Sequence, residues 1–266
     1  MKLAIFGDSY ADADLFEGNL WSTNFSWPKL LKDYYKDAEV DFYGTSGTSS
    51  YWSYELFHEH HKKYTHIIFC YAGTTRWPYL PPEYTGRHFD IHGNDETVSI
   101  YKNQGNDAAY VKDLSRIFDT LFPQSFLNYI NNKIFDDVNN TCKYNDIKLI
   151  NIITTAKECY HIRDYYDFPV LESLIDVSAK ETVTVNDKTF YMHDIMQELG
   201  QPDIRYCHLN PHNNLLLSQV LVNLFNQNCF SNGQNKVMNK KVECIDIANW
   251  QFTHSLIDEY YQLLLK

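Results

Sequence analysis

Three apolar runs punctuate the chain without any polar alternation: Lys2–Phe6, Ile67–Ala72 and Lys148–Thr154. Continuous rather than alternating runs of this length predict strands of a parallel sheet that is covered on both faces. A weaker strand is expected over Glu39–Tyr43. Between the strands the apolar spacing becomes helical. Trp27–Tyr35 opens with Pro28 in its first turn, where the missing N–H costs nothing. Tyr51–Tyr64 reads as a second helix. Asp107–Asn140 reads as one long helix or two, broken at Pro123. Pro211–Asn226 carries Leu215, Leu216, Leu217, Val220, Leu221 and Leu224 on a wide apolar face. Strands alternating with helices predict right-handed βαβ units and an α/β fold.

Two stretches depart from this rhythm. Residues 78–106 read as a loop with Pro81–Pro82, and residues 156–200 as an insertion holding a hairpin, Thr182–Val185 and Thr189–Met192 around Asn186–Asp187. Both are expected at the carboxyl edge of the sheet, where open α/β sheets bind ligands. A last strand (Val242–Ile247) and helix (Thr253–Leu265) would close a single domain over residues 1–266.

Composition narrows the function classes. A chain of 266 residues that is 44% hydrophobic and 21% charged can bury a full core. Its net charge of −11 disfavours a phosphate-gripping nucleic-acid surface and an anionic membrane surface. No apolar run approaches a membrane span, and Gly7–Asp8–Ser9 interrupts the N-terminal run too early for an export signal. A cytoplasmic protein is expected. The acidic, Tyr- and Asn-rich composition also fits a viral or virion-associated component acting on a cell-surface glycan. The six cysteines form no CxxC pair, so reduced, mostly buried thiols are expected rather than zinc or disulfides. His58, His60 and His61 share a helix with Lys62 and Lys63 and read as a solvated face, not a metal site. No phosphate-cradling glycine loop is present. No cofactor and no metal are expected.

The most informative tripeptide is Gly7–Asp8–Ser9, directly after the first strand. A serine on such a turn is exposed above the sheet, and its own N–H can face an oxyanion, two needs of a hydrolytic nucleophile. Gly-Asp-Ser is also an ordinary turn. Further segments follow in order: Trp27–Pro28 with Leu30–Leu31, Gly44–Thr45–Ser46–Gly47–Thr48 after the second strand, and Cys207–His208–Leu209–Asn210–Pro211 before the last amphipathic helix. Together these resemble the SGNH (GDSL-type) hydrolase family over nearly the whole chain.

That resemblance implies a flavodoxin-like three-layer α/β/α sandwich with about five parallel strands. It implies Ser9 as nucleophile, His208 as base, and the N–H groups of Ser9 and Gly47 as oxyanion donors, with Gly44 a nearby competitor for the last role. His212 is the rival base; His208 fits the family pattern better. Two departures stand out. The family's Gly-x-Asn-Asp block is replaced by Gly73–Thr74–Thr75–Arg76, placing Thr75 where the donor Asn would be. Gly93–Asn94–Asp95 and Gly105–Asn106–Asp107 carry those letters but follow no strand. The acid three residues before the histidine is replaced by Arg205, which would lower an imidazole pKa. Asp203, five before, is the candidate orienting acid, and without it a Ser–His dyad remains. The expected activity is that of an esterase or acylhydrolase on a small ester, including an O-acetyl group on a carbohydrate. The departures motivate the alternative of a catalytically weak glycan-binding or structural module on the same fold.

Overall fold

Leu3, Ala4, Ile5 and Phe6 are all fully buried, as the uninterrupted apolar run requires of a strand with helices on both sides. They form β1 (Lys2–Gly7), the first of eight strands in the computed structural model, which describes residues 1–13, 26–73, 122–154, 168–172, 174, 182–185, 188–191, 209, 211–226 and 244–246. The others are β2 (Glu39–Gly44), β3 (His66–Tyr71), β4 (Lys148–Ile153), β5 (Val170–Glu172), β6 (Thr182–Val185), β7 (Lys188–Tyr191) and β8 (Cys244–Asp246). Four α-helices are described: α1 (Trp27–Tyr34), α2 (Ser50–His60), α3 (Gln124–Tyr144) and α4 (Pro211–Asn226).

The main sheet runs in the order β2-β1-β3-β4-β5-β8, and each neighbouring pair is parallel. Alternate side chains of a strand face opposite layers. Phe6 and Phe69 pack on Phe57 of α2, with ring centroids 5.8 and 6.0 Å away, and Tyr71 packs on Phe135 of α3 at 4.8 Å. His66, one register step from Ile67 on β3, faces the other way and meets Phe225 of α4 at 5.2 Å. Thus α2 and α3 form one outer layer, and α1 packed against α4 forms the other. This is the three-layer α/β/α arrangement expected from the sequence.

Polar devices set the boundaries. Ser49 caps α2 by accepting the Trp52 N–H at 3.3 Å, so the helix starts one residue before the apolar pattern suggests. It ends at His60, and His61–Lys63 continue as a 3₁₀ turn that returns Tyr64 to the core. Pro123 immediately precedes α3, which runs on to Tyr144, past the expected end at Asn140; the expected helical stretch over 107–121 lies outside the described residues. Within the core, Asn151 of β4 is fully buried. Its Oδ1 accepts from Tyr71 Oη at 3.0 Å, and its Nδ2 donates to Asn139 Oδ1 of α3 at 3.0 Å. A buried amide with its partners supplied is tolerated where a lone one is not.

One expectation needs correction. The stretch 156–200 contains β5, which pairs with β4 and β8 in the main sheet, so it is not wholly an insertion. The expected sheet of about five parallel strands is thus present, with six parallel strands among the described residues. The hairpin is present as β6 and β7, antiparallel, and β8 falls within the expected last strand. The expected loop over 78–106 and the helix over 253–265 lie outside the described residues.

Candidate functional site

Gly7 ends β1, and the chain turns at once. The Ala11 N–H donates to the Asp8 carbonyl at 2.9 Å and closes a turn with Ser9 and Tyr10 at its centre. Asp8 Oδ1 accepts the Tyr10 N–H at 3.1 Å, a side-chain turn that short carboxylates make readily. Asp8 and Ser9 are both buried, at 1% and 7% exposure, so the serine is not the exposed one expected of such a turn. The turn is held from outside by Trp27, whose Nε1–H donates to the Tyr10 carbonyl at 2.7 Å. The serine thus stands at the carboxyl end of β1 on a turn whose backbone is pinned on both sides of it.

The loop after β2 is locked to this turn. Gly44 lies in register with Gly7, and the Thr45 N–H extends the ladder to the Gly7 carbonyl at 3.0 Å. Asp12 Oδ2 accepts the Ser46 N–H at 2.8 Å, tying the second loop to the first. Thr48 closes its own turn, donating Oγ1 to the Thr45 carbonyl at 2.7 Å. Gly47, third in that turn, has φ +79°, a left-handed value that glycine adopts without a side-chain clash. At Gly44 the constraint is closeness: a Cβ there would lie 2.2 Å from the Ala11 carbonyl oxygen and 2.3 Å from its carbon. The two loops meet backbone to backbone.

Beneath them, β3 ends at Tyr71, and Ser50 Oγ of α2 donates to the Ala72 carbonyl at 3.3 Å. Cys70 is fully buried, and burial, followed by the nearby Asp8 carboxylate, pushes its thiol well above the ordinary range. It stays protonated and is not a competing nucleophile.

Of the residues singled out from the sequence, Ser9 and Gly47 fall on these two interlocked loops at one end of the sheet. Thr75, Arg76, Asp203, Arg205 and His208 lie outside the described residues. Leu209, the neighbour of His208, is described and buried. Its carbonyl accepts from Asn214 Nδ2 at 2.9 Å. His212, the rival base, belongs to the first turn of α4. Among the described residues no group of three or more His, Cys, Asp or Glu could hold a metal ion, and no helix is long and apolar enough to cross a membrane.

The histidine-rich helix end is the expected solvated face only in part: His58, Lys62 and Lys63 are exposed, and the histidines that follow on this segment pack inward. His61 is buried, with Nδ1 on the Phe57 carbonyl at 3.0 Å and its ring stacked on Phe57. His60 stacks on Tyr43, and His58 pairs with Asp137 of α3 at 3.0 Å. Sequence reasoning also passed over Asp12, the indole of Trp27 and Asn214. Each bonds to a backbone group from another element, and residue spacing carries no signal of that.

No family model and no curated protein matches this chain. Among solved structures it is similar to a protein from Desulfitobacterium hafniense DCB-2 assigned to the lipolytic G-D-S-L family, with 14% identity over 84% of this chain and 98% of that one, at a TM-score of 0.41. It is also similar to the psychrotrophic esterase EstA from Pseudoalteromonas sp., with 13% identity over 85% and 97% of the two chains and a TM-score of 0.38. A third likeness is to a catalytic mutant of an acetylxylan esterase from Geobacillus stearothermophilus, with 11% identity over 58% and 59% and a TM-score of 0.31. All three likenesses are distant, and the parallel sheet described above stands on its own register.

Proposed function

We propose that this chain is a serine esterase, an acylhydrolase that cleaves a small ester such as an O-acetyl group on a carbohydrate. The observation that carries the reading is the pinned serine turn. Ser9 follows β1 directly, at the carboxyl end of a parallel sheet where such folds bind ligands, and its turn is braced by the Gly44–Thr48 loop. The motif order in the sequence supports the same reading.

In this mechanism Ser9 Oγ attacks the ester carbonyl while its proton passes to His208. The N–H groups of Ser9 and Gly47, with the Thr75 hydroxyl, hold the oxyanion, and the alcohol leaves with the proton from His208. Water then attacks the acyl–serine ester, His208 takes its proton and returns it to Ser9, and the acid is released. Asp203 is the orienting acid for His208. A preorganised donor pair is worth more here than in water, since Asp8 and Ser9 are almost wholly shielded.

Intact-mass measurement after exposure to a fluorophosphonate tests the nucleophile without knowledge of the substrate. One adduct on the wild type and none on Ser9→Ala is the expected result. Absence of any adduct across a broad pH range would sink the esterase reading in favour of a glycan-binding module, which the Thr75 and Arg205 departures motivate.

A further inference from the structure

Three hydrogen bonds and two side chains link the residue after Ser9 to the residue after His208. The Tyr10 carbonyl accepts the Trp27 indole Nε1–H at 2.7 Å. The Trp27 backbone N–H donates to Asn214 Oδ1 at 3.0 Å, and Asn214 Nδ2 donates to the Leu209 carbonyl at 2.9 Å. Tyr10 is peptide-bonded to Ser9, and Leu209 to His208.

Each link has an independent physical cause. The Trp27 N–H belongs to the first turn of α1, where amides have no partner within the helix. The side chain of Ser26, at the N-cap position, makes no capping bond. Asn214 of α4 supplies the acceptor from across the layer. Its amide has one workable orientation, oxygen toward the Trp27 N–H and nitrogen toward the Leu209 carbonyl; the flipped amide would set donor against donor and acceptor against acceptor. Trp27 is fully buried, so its indole N–H requires a partner, and the Tyr10 carbonyl is that partner.

We infer that Trp27 and Asn214 are positioning residues that tie the serine turn to the Leu209 backbone and so act on His208, the residue bonded to it. This rests on the assignment of Ser9 and His208 made above. The two side chains touch neither the reacting atoms nor the substrate in this scheme. They act through the backbone on either side.

Two variants cut the path at different bonds. Asn214→Asp keeps an acceptor for the Trp27 N–H, at a helix N-terminus where a carboxylate is well placed, but turns an oxygen toward the Leu209 carbonyl. Trp27→Phe keeps a buried ring and removes the bond to Tyr10. Ile134→Val on α3, in the opposite layer, loosens the core without touching the path. The measurement is the rate of labelling by a fluorophosphonate across its concentration range, with urea midpoints alongside. In that reaction the Ser9 Oγ–P bond forms, the P–F bond breaks, fluoride leaves and the serine proton passes to the base.

Both path variants are expected to lower the limiting labelling rate about 10–100-fold, the scale of a misplacement near 1 Å, with little change in half-saturation. Ile134→Val is expected to label at the wild-type limiting rate. Wild-type limiting rates in folded Asn214→Asp and Trp27→Phe would overturn the inference, as would an equal loss in Ile134→Val at a matched urea midpoint. Should Asn214→Asp fail to fold, Trp27→Phe decides alone. A wild type that takes no label at Ser9 would overturn the esterase reading itself, an outcome distinct from unequal variants of a labelled enzyme.

Discussion

Gly44→Ala tests whether the serine turn is seated on β2. The added Cβ would sit 2.2 Å from the Ala11 carbonyl oxygen, 2.3 Å from its carbon and 2.7 Å from the Asp12 nitrogen. All three are backbone atoms, so no side chain can rotate away. Restoring a 3.4 Å contact to the oxygen means a retreat of about 1.2 Å, the difference between 3.4 and 2.2 Å. Forced overpacking of this kind costs roughly 1–3 kcal/mol, and here it also lifts the segment that carries the Asp12 bond to Ser46. Ala11 is two residues from Ser9, so the serine is expected to move with it. Urea unfolding should show the stability loss, and fluorophosphonate labelling should slow on the order of 10-fold or more. A wild-type urea midpoint would refute the steric argument. A lowered midpoint with wild-type labelling would show that the edge strand β2 yields instead, and would refute transmission to the serine.

Two further perturbations address the scaffold. Asn151→Leu removes a partner of Tyr71 Oη and the donor to Asn139 Oδ1 inside the core, and should cost about 2–4 kcal/mol in urea unfolding; adding Asn139→Leu should recover part of it, since the amide oxygen left without that donor is then gone. His66 has its pKa lowered to about 4, first by burial and then by Lys148, so the unfolded chain binds the proton more readily between about pH 4 and pH 6.5. Its contribution is therefore full above pH 6.5 and lost as pH falls toward 4; for a half-buried ring we expect about 1–2 kcal/mol after allowing for solvent screening. His66→Gln should narrow the stability difference between pH 7 and pH 4.5 by that amount, and an unchanged difference would refute the assignment.

The strands that could be read in advance were those buried on both faces. β1, β3 and β4 stand out because Leu3–Phe6, Ile67–Tyr71 and Leu149–Ile153 leave few polar interruptions. β5 escaped notice because Val170–Glu172 has only three residues and follows directly on Pro169. The end of α2 was placed too late because Tyr64 keeps the helical spacing of apolar residues, although a 3₁₀ turn is what brings it inward. Ser9 and Gly47 were legible because their chemistry is written locally, as a turn directly after a strand. Asp12, Trp27 and Asn214 were not, since their partners are backbone groups 34, 17 and 187 or fewer positions away that only the folded topology selects.

The strand order also has a temporal meaning during synthesis. β1, β2 and β3 are adjacent in the sheet and all lie within the first 71 residues, so the ground under Ser9 can organise while most of the chain is unmade. The outer layer over α1 is different. Its partner α4 ends at Asn226, and at about 5–20 residues per second it leaves the ribosome roughly 10–40 s after α1. For that interval the inward face of Trp27 and Leu31 has no α4 to cover it. The nascent protein therefore carries a sticky apolar flank until its last third arrives, a natural grip for chaperones and a place where premature termination leaves a chain prone to aggregate.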